Sequence, residues 1–332
     1  MSTRRVTVAV LGDGGWGTTL AIHAHRLGHR VRWWGAFPDY LRVVTRRREN
    51  VTYLPGVPIP RSLPIVSSLP EAVAGARIVI VAVPSQHMRA VARCLPRTPG
   101  AVFVSAAKGL EPGTLKRMTQ VIAEEAHGAP VAALSGPNIA AEIARGYPAS
   151  SVIAAKTRPL AAELQRLMSS ERLRLYTSSD VAGVELGGAL KNPIAIAAGI
   201  SDGLGLGNNA KAALVTRGVV EMARLGESLG ARPETFWGLS GLGDLVTTCL
   251  SGRNRWLGEQ LGEGRSLKEV LGSTPMVLEG VETVKAAVGL GRRHRVELPI
   301  MEQVHAVLFR RRPPRQALQA LMRRSEKAES NG

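Results

Sequence analysis

Thr7-Val8-Ala9-Val10-Leu11-Gly12-Asp13-Gly14-Gly15-Trp16-Gly17 decides how the rest of the chain is read. The five residues up to Leu11 are a short apolar run of β-type, the pattern of a strand buried on both faces. Gly12, Gly14 and Gly17 then fit G-x-G-x-x-G, with Gly15 inside the same turn, and an apolar periodicity from Thr18 to Leu27 reads as a helix stopped by Gly28. In a chain with 36 glycines such spacing alone is weak. A strand before it and a helix after it make it specific. Gly12 permits the tight turn, Gly14 lets backbone approach a pyrophosphate, and Gly17 lets the helix pack on the strand with its N-terminal dipole facing the phosphates. A bound dinucleotide is the expectation. An acid at the end of the second strand would favour NAD and an arginine NADP. That strand ends Arg32-Trp33-Trp34-Gly35-Ala36-Phe37 with neither in place: Arg32 alternates away and Asp39 comes late, so the choice stays open.

Outward from this turn, Val31 to Trp34, Ile78 to Val83, Val102 to Ser105 and Val131 to Leu134 repeat the apolar strand pattern with helical stretches between them. Strand–helix alternation of this kind predicts α/β architecture, a Rossmann-type doubly wound parallel sheet covered on both faces. Near residue 180 the strand signals fade and Ala, Leu, Gly and Glu dominate. Asp180 is placed to cap a helix running through Lys191, with Pro193 bending or breaking it. The expected division is a dinucleotide-binding domain over 1–180 and an all-helical substrate-binding and catalytic domain over 181–332. Only the basic tail after about Arg323 reads as disordered.

At 332 residues the chain exceeds the ~250–300 at which single cores stop growing, and 45% hydrophobic content supports a packed interior. No apolar run approaches the ~20 residues of a membrane helix. Met1 to Arg5 followed by Val6 to Leu11 superficially resembles a secretory leader, but Asp13 interrupts it, and a cytoplasmic location is expected. Cys94 and Cys249 lack metal-ligand spacing and read as small buried hydrophobes; no metal is expected. The net charge of +17 comes partly from clusters at Arg4-Arg5, Arg46 to Arg48, Arg292-Arg293, Arg310 to Arg312 and Arg323-Arg324. Aromatics seldom flank them, so stacking platforms for single strands are missing, and a solvated basic surface is the simpler reading.

Four segments place polar groups among small or apolar residues. Ser105-Ala106-Ala107-Lys108 and Leu134-Ser135-Gly136-Pro137-Asn138 follow strands, and open α/β sheets bind ligands at the carboxyl ends of their strands. Glu185-Leu186-Gly187-Gly188-Ala189-Leu190-Lys191-Asn192 puts one lysine on a small, apolar helix, where lost hydration lowers its pKa toward the acid–base range. Gly241-Leu242-Gly243-Asp244 suggests a tight turn presenting an acid, and Arg253 with Asn254 offers a cationic fork and amide donors for a phosphate.

Together these segments resemble the NAD(P)-dependent glycerol-3-phosphate dehydrogenase family. The likeness runs through GDGGWGTTLA, KGLE, LSGPNIAAEIA, ELGGALKNPIAIAAGI, GLGDLVTTCLSGRNR and LEGVETVKA, and covers essentially the whole chain. It implies hydride transfer between nicotinamide and C2 of dihydroxyacetone phosphate or sn-glycerol 3-phosphate, supplying glycerophospholipid synthesis. It makes Lys191 the general acid–base residue, with Lys108 touching substrate and cofactor and Asp244 orienting the lysines. Gly136, Asn138, Asn192, Thr248, Arg253 and Asn254 would meet substrate. Trp16, Ala140, Arg253, Val277 and Glu279 would meet the dinucleotide. The chain departs from common bacterial members at Ala36, where an arginine suits NADPH, at Gly252, where a serine is frequent, and at Asn138.

Two other readings remain: a related two-domain dehydrogenase of another hydroxy acid, or a non-catalytic dinucleotide-sensing or nucleic-acid-binding protein. The partners expected are a small phosphorylated substrate and a second copy of the chain, since dimers are the commonest assembly. Neither specific nucleic acid nor integral membrane association is expected.

Overall fold

The computed structural model describes residues 5–126, 128–274, 276–326 and 328. Residues 1–4, which open the leader-like stretch and include Arg4, and much of the tail, residues 327 and 329–332, lie outside them.

The described residues form ten strands: β1 Thr7–Leu11, β2 Arg30–Trp34, β3 Glu49–Asn50, β4 Leu54–Pro58, β5 Ile65–Val66, β6 Ile78–Val81, β7 Val102–Ser105, β8 Val131–Ser135, β9 Ala149–Ala155 and β10 Leu173–Ser178. Eight form one sheet in the order β10-β9-β8-β7-β6-β1-β2-β5, and β3 pairs antiparallel with β4. The chain leaves β1 toward β2 and returns through β6 on its other side, so the crevice at the carboxyl end of β1 is the topological switch point where such sheets bind ligands. Alternation explains the double burial. Val8, Val10, Ile78 and Ile80 enter one apolar layer, and Ala9, Leu11, Val79 and Val81 enter the other.

The sheet is not wholly parallel: β9 runs antiparallel to β8. Sequence reading misses β5, β9 and β10 for local reasons. β5 has two residues, Ala149-Ser150-Ser151-Val152-Ile153-Ala154-Ala155 is mostly small residues of low β-propensity, and exposed Arg174 and Tyr176 interrupt β10.

The helix expected after Gly17 begins at Gly15 and runs to Arg26, with Gly28 at φ +84° just beyond. Asp180 does cap the helix Val181–Gly203, accepting from the amide of Gly183 at 2.9 Å. Pro193 does not break it. Every residue from Gly183 to Ser201 is buried, so packing on all sides outweighs the one ladder bond that proline removes. From there to Met322 the described residues form helices only, around a core of their own that includes Leu190, Ile194, Ile196, Met222, Phe236 and Leu257. Among the described residues no helix is long and apolar enough to cross a membrane.

Cys249 is buried, its thiol pushed up to about 12 by burial, whereas Cys94 is exposed, contrary to expectation, because it follows the C-terminal end of a short surface helix, Met88–Arg93. Arg324, read as part of a disordered tail, pairs with Glu297 at 2.9 Å.

Candidate active site

The glycine turn is shaped by neighbours at Gly12, Gly15 and Gly17. Gly12 has φ +127°, and a Cβ there would lie 2.6 Å from the carbonyl oxygen of Ala82, after β6. Gly17 packs on Gly12 itself, 2.1 Å from its carbonyl oxygen to an added Cβ, and Gly15 abuts the carbonyl of Tyr53. Gly14 alone faces open space, as a residue exposing its backbone to a ligand must. Ala140 lies beside this turn: its carbonyl accepts from Thr19 Oγ1 at 3.0 Å, and its Cβ is 3.8 Å from an added Gly15 Cβ. Trp16 is half-buried, its indole N–H sealed and without a partner.

Lys108 follows β7, Gly136 and Asn138 follow β8, and the long helix Val181–Gly203 passes over both strand ends. Glycine makes that passage possible. A Cβ at Gly188 would sit 2.5 Å from Ser135 Oγ and 3.4 Å from the stem of Lys108, and one at Gly187 would strike the Ser240 carbonyl. Lys191 is thereby sunk to 6% exposure. Its Nζ donates to Asp244 Oδ1 at 2.5 Å and to Thr248 Oγ1 at 2.6 Å. Lys108 Nζ donates to the Gly136 carbonyl at 2.8 Å and lies 2.7 Å from Asp244 Oδ2, an ionic contact rather than an aligned hydrogen bond. One carboxylate, 1% exposed, thus separates two ammonium groups. Burial lowers the Lys191 pKa to about 8; Asp244 opposes the fall, and Lys108 adds to it.

Asp244 is not carried by the tight turn expected. Leu239–Gly243 forms one π-helical turn leading into the helix Asp244–Leu250. Gly241 is required because an added Cβ would lie 2.1 Å from the Phe236 carbonyl oxygen. Such turns widen the helical ladder and recur at functional sites.

Asn192 and Asn254 bond each other, Nδ2 of Asn254 to Oδ1 of Asn192 at 3.0 Å, rather than the lysines. Asn254 Oδ1 also accepts from the Gly280 amide at 3.2 Å, which ties three helices together. Arg253 opens the helix Arg253–Gly262 and is exposed, and its charge is felt at Glu279. Gly252 precedes it at φ +129°, a region that favours glycine. Glu279 is half-buried against the amide of Ser85; burial raises its carboxyl pKa, while Arg253 and the two lysines pull it down. Val277 is half-buried two residues before it. Asn138 donates to Ser151 Oγ at 3.0 Å, and its Oδ1 is sealed without a partner.

The structure also brings in Ser85, Ser135 and Ser151, which sequence reading did not single out. Ser85 and Ser135 come at or just after strand ends, and that position is the signal that finds them. Ser151, inside β9, gave none.

A glycine turn at the switch point of an α/β sheet, closed over by a helical half that brings a buried lysine to the strand ends, places the chain among two-domain nicotinamide-dependent dehydrogenases. Its sequence narrows that class: the chain belongs to the NAD-dependent glycerol-3-phosphate dehydrogenase family, whose N-terminal profile matches residues 7–161 and whose C-terminal profile matches 180–319. It is 46% identical over 330 residues to glycerol-3-phosphate dehydrogenase (NAD(P)+) 2 of Salinibacter ruber, covering 97% of this chain and 96% of that one. Identity to the Moorella thermoacetica glycerol-3-phosphate dehydrogenase (NAD(P)+) is 47% over 322 residues, 96% of each chain. The crystal structure of glycerol-3-phosphate dehydrogenase from Coxiella burnetii superimposes with a TM-score of 0.91 at 36% identity, covering 96% of this chain and 99% of that one.

Proposed function

We propose that this protein interconverts dihydroxyacetone phosphate and sn-glycerol 3-phosphate, with Lys191 as the general acid–base residue. The observation that carries this reading is the 2.5 Å bond from buried Lys191 to Asp244, with Lys108 on the other carboxylate oxygen. The residues fit a dinucleotide: Gly14 leaves its side of the turn open, and an added Cβ at Gly12 or Gly17 would strike backbone, so the turn keeps the shape that lets a pyrophosphate approach. Gly12, Gly14, Gly15, Trp16, Gly17 and Ala140 would hold it on the sheet, and Arg253, Val277 and Glu279 from the helical half.

When bound, the nicotinamide supplies or accepts the hydride. Lys191 gives its proton to the substrate oxygen during reduction and takes it back during oxidation. Lys108, with the amides around Gly136, steadies the negative charge that develops on that oxygen. Asp244 holds both ammonium groups in place, and Thr248 fixes Lys191 from its other side. Arg253 and Asn254, at a helix N-terminus, take the substrate phosphate, with Asn192 locking Asn254. Asn138 lines the pocket opposite.

A division near residue 180 suits this arrangement, since Asp180 caps the first helix of the half that carries Lys191 and Asp244. A homodimer in the cytoplasm, feeding glycerophospholipid synthesis, completes the reading.

The test is loss of reduced-nicotinamide absorbance on adding dihydroxyacetone phosphate, with NADH and NADPH in separate runs. Consumption that requires the phosphate is the expected result. No consumption with either cofactor, from folded protein that still binds dinucleotide, would overturn the activity.

A further inference from the structure

The end of β2 lacks an acid, yet a carboxylate stands there. Leu11 pairs with Trp34, and the Gly12 amide donates to the Trp34 carbonyl at 2.8 Å, so Asp13 comes to lie beside Gly35. An added Cβ on Gly35 would fall 2.6 Å from both Cβ and Oδ2 of Asp13; glycine is what admits the side chain. The loop is clamped in that position. Asn50 Nδ2 donates to the Asp13 carbonyl at 2.8 Å, and the Trp33 indole donates to the Gly12 carbonyl at 2.8 Å. Asp13 is 9% exposed, and its Oδ2 is sealed with no hydrogen-bond partner. Burial raises the carboxyl pKa and prevails over the amides of Asp13 itself, Phe37 and Ala36, which face it and pull the other way.

A buried carboxylate without a full set of donors is costly, and a hydroxyl brought to Oδ1, the oxygen that is not sealed, would supply one. A phosphate would add like charge instead. The arginines flanking this strand end are turned elsewhere: Arg32 donates to the carbonyls of Glu71 and Ala74, and Arg42 pairs with Asp39. Next to Asp13, whose charge reaches Tyr53, lies a concavity of about 410 Å³ lined by Phe37, Pro38, Asp39, Tyr40 and Tyr53, apolar and aromatic enough for a purine base.

We infer that Asp13, admitted by Gly35, accepts the 2′-hydroxyl of the adenosine ribose and makes this protein select NADH over NADPH. The acid comes from the glycine turn rather than from β2. The inference rests on the dinucleotide reading above and adds its specificity.

The experiment measures dissociation constants of NADH, NADPH and 2′-deoxy-NADH by nicotinamide fluorescence, without substrate, on the full chain. Wild type should bind NADH at least about 10-fold more tightly than NADPH or the deoxy analogue. Asp13→Ser should bring the three within about threefold, and Gly35→Ala, which pushes the carboxylate out, should do the same. Thermal melts show that each variant is folded. Equal binding of NADH and NADPH by wild type, or an unchanged ratio in both folded variants, overturns the assignment. Because no substrate is present, failure to turn over dihydroxyacetone phosphate would reject the activity and still leave the binding ratio to decide Asp13.

Discussion

Lys191 is where burial and charge oppose each other most directly. Taking an ammonium group out of water favours its neutral form, Lys108 favours it further, and Asp244 restores part of the proton affinity, so the group settles at about 8. A donor must be protonated to act in reduction. The kcat/KM for dihydroxyacetone phosphate should therefore be level below about pH 8 and fall above it, while oxidation of sn-glycerol 3-phosphate rises through the same region. Asp244→Asn removes the group that raises the Lys191 pKa, so both limbs should move to lower pH; limbs that stay in place would show that another group titrates. Lys191→Ala should lower kcat by roughly 10²–10⁴-fold with dinucleotide affinity little changed, as stopped-flow turnover and cofactor titration would show. Arg253→Ala should raise KM by roughly 10–100-fold, the scale of a lost charge-assisted bond, and leave kcat nearer its original value. An unaltered KM would remove Arg253 from phosphate binding.

At the scale of elements, close helix packing sets where these residues stand. The helices Val181–Gly203 and Arg253–Gly262 touch backbone to backbone: an added Cβ at Gly199 would lie 1.9 Å from the Arg255 carbonyl oxygen, and one at Gly258 2.0 Å from that of Ile196. The contact passes between the helix bearing Lys191 and the helix that begins with Arg253 and Asn254. Gly258→Ala should force the pair apart, destabilise the protein by about 1–3 kcal/mol and lower Tm by several degrees. KM should rise as well, because Asn254 moves with its helix. A melt and a KM equal to wild type would show that the interface yields without moving the site. The π-helical turn before Asp244 belongs to this scale too: Gly241 lets the turn close on the Phe236 carbonyl, and Gly187 lets the long helix approach the turn at Ser240.

Across the molecule, the segment after β7 joins the two halves. Leu110 enters the helical core, and Arg117 and Thr119 grip Glu185 of the long helix. The carboxylate of Glu185 accepts from Arg117 Nη1 at 2.7 Å, the Thr119 amide at 2.7 Å and Thr119 Oγ1 at 2.5 Å, while burial pushes its pKa upward. Glu185→Ala would strip three donors of their acceptor and leave the Arg117 charge part-buried and unpaired. We expect a loss of about 2–4 kcal/mol by chemical denaturation together with a lower kcat, because Lys108 lies on the same segment. Loss of stability with kcat intact would show that the tether does not position Lys108.

The sequence by itself determined the glycine turn, the alternation into a doubly wound sheet, the change to helices near Asp180 and the polar residues at strand ends, because these depend on local periodicity and on residues that turns and caps require. Lys108, Lys191 and Asp244 were legible as unusual residues in small or apolar company. Only the tertiary structure decided that one carboxylate lies between both lysines, that Pro193 sits inside an unbroken helix, that β9 reverses direction and that Asp13 fills the place at β2. Each of those depends on groups far apart in sequence. Arg117 and Glu185 are 68 residues apart, and Lys191 and Asp244 are 53 apart. No local propensity records a contact that packing alone creates.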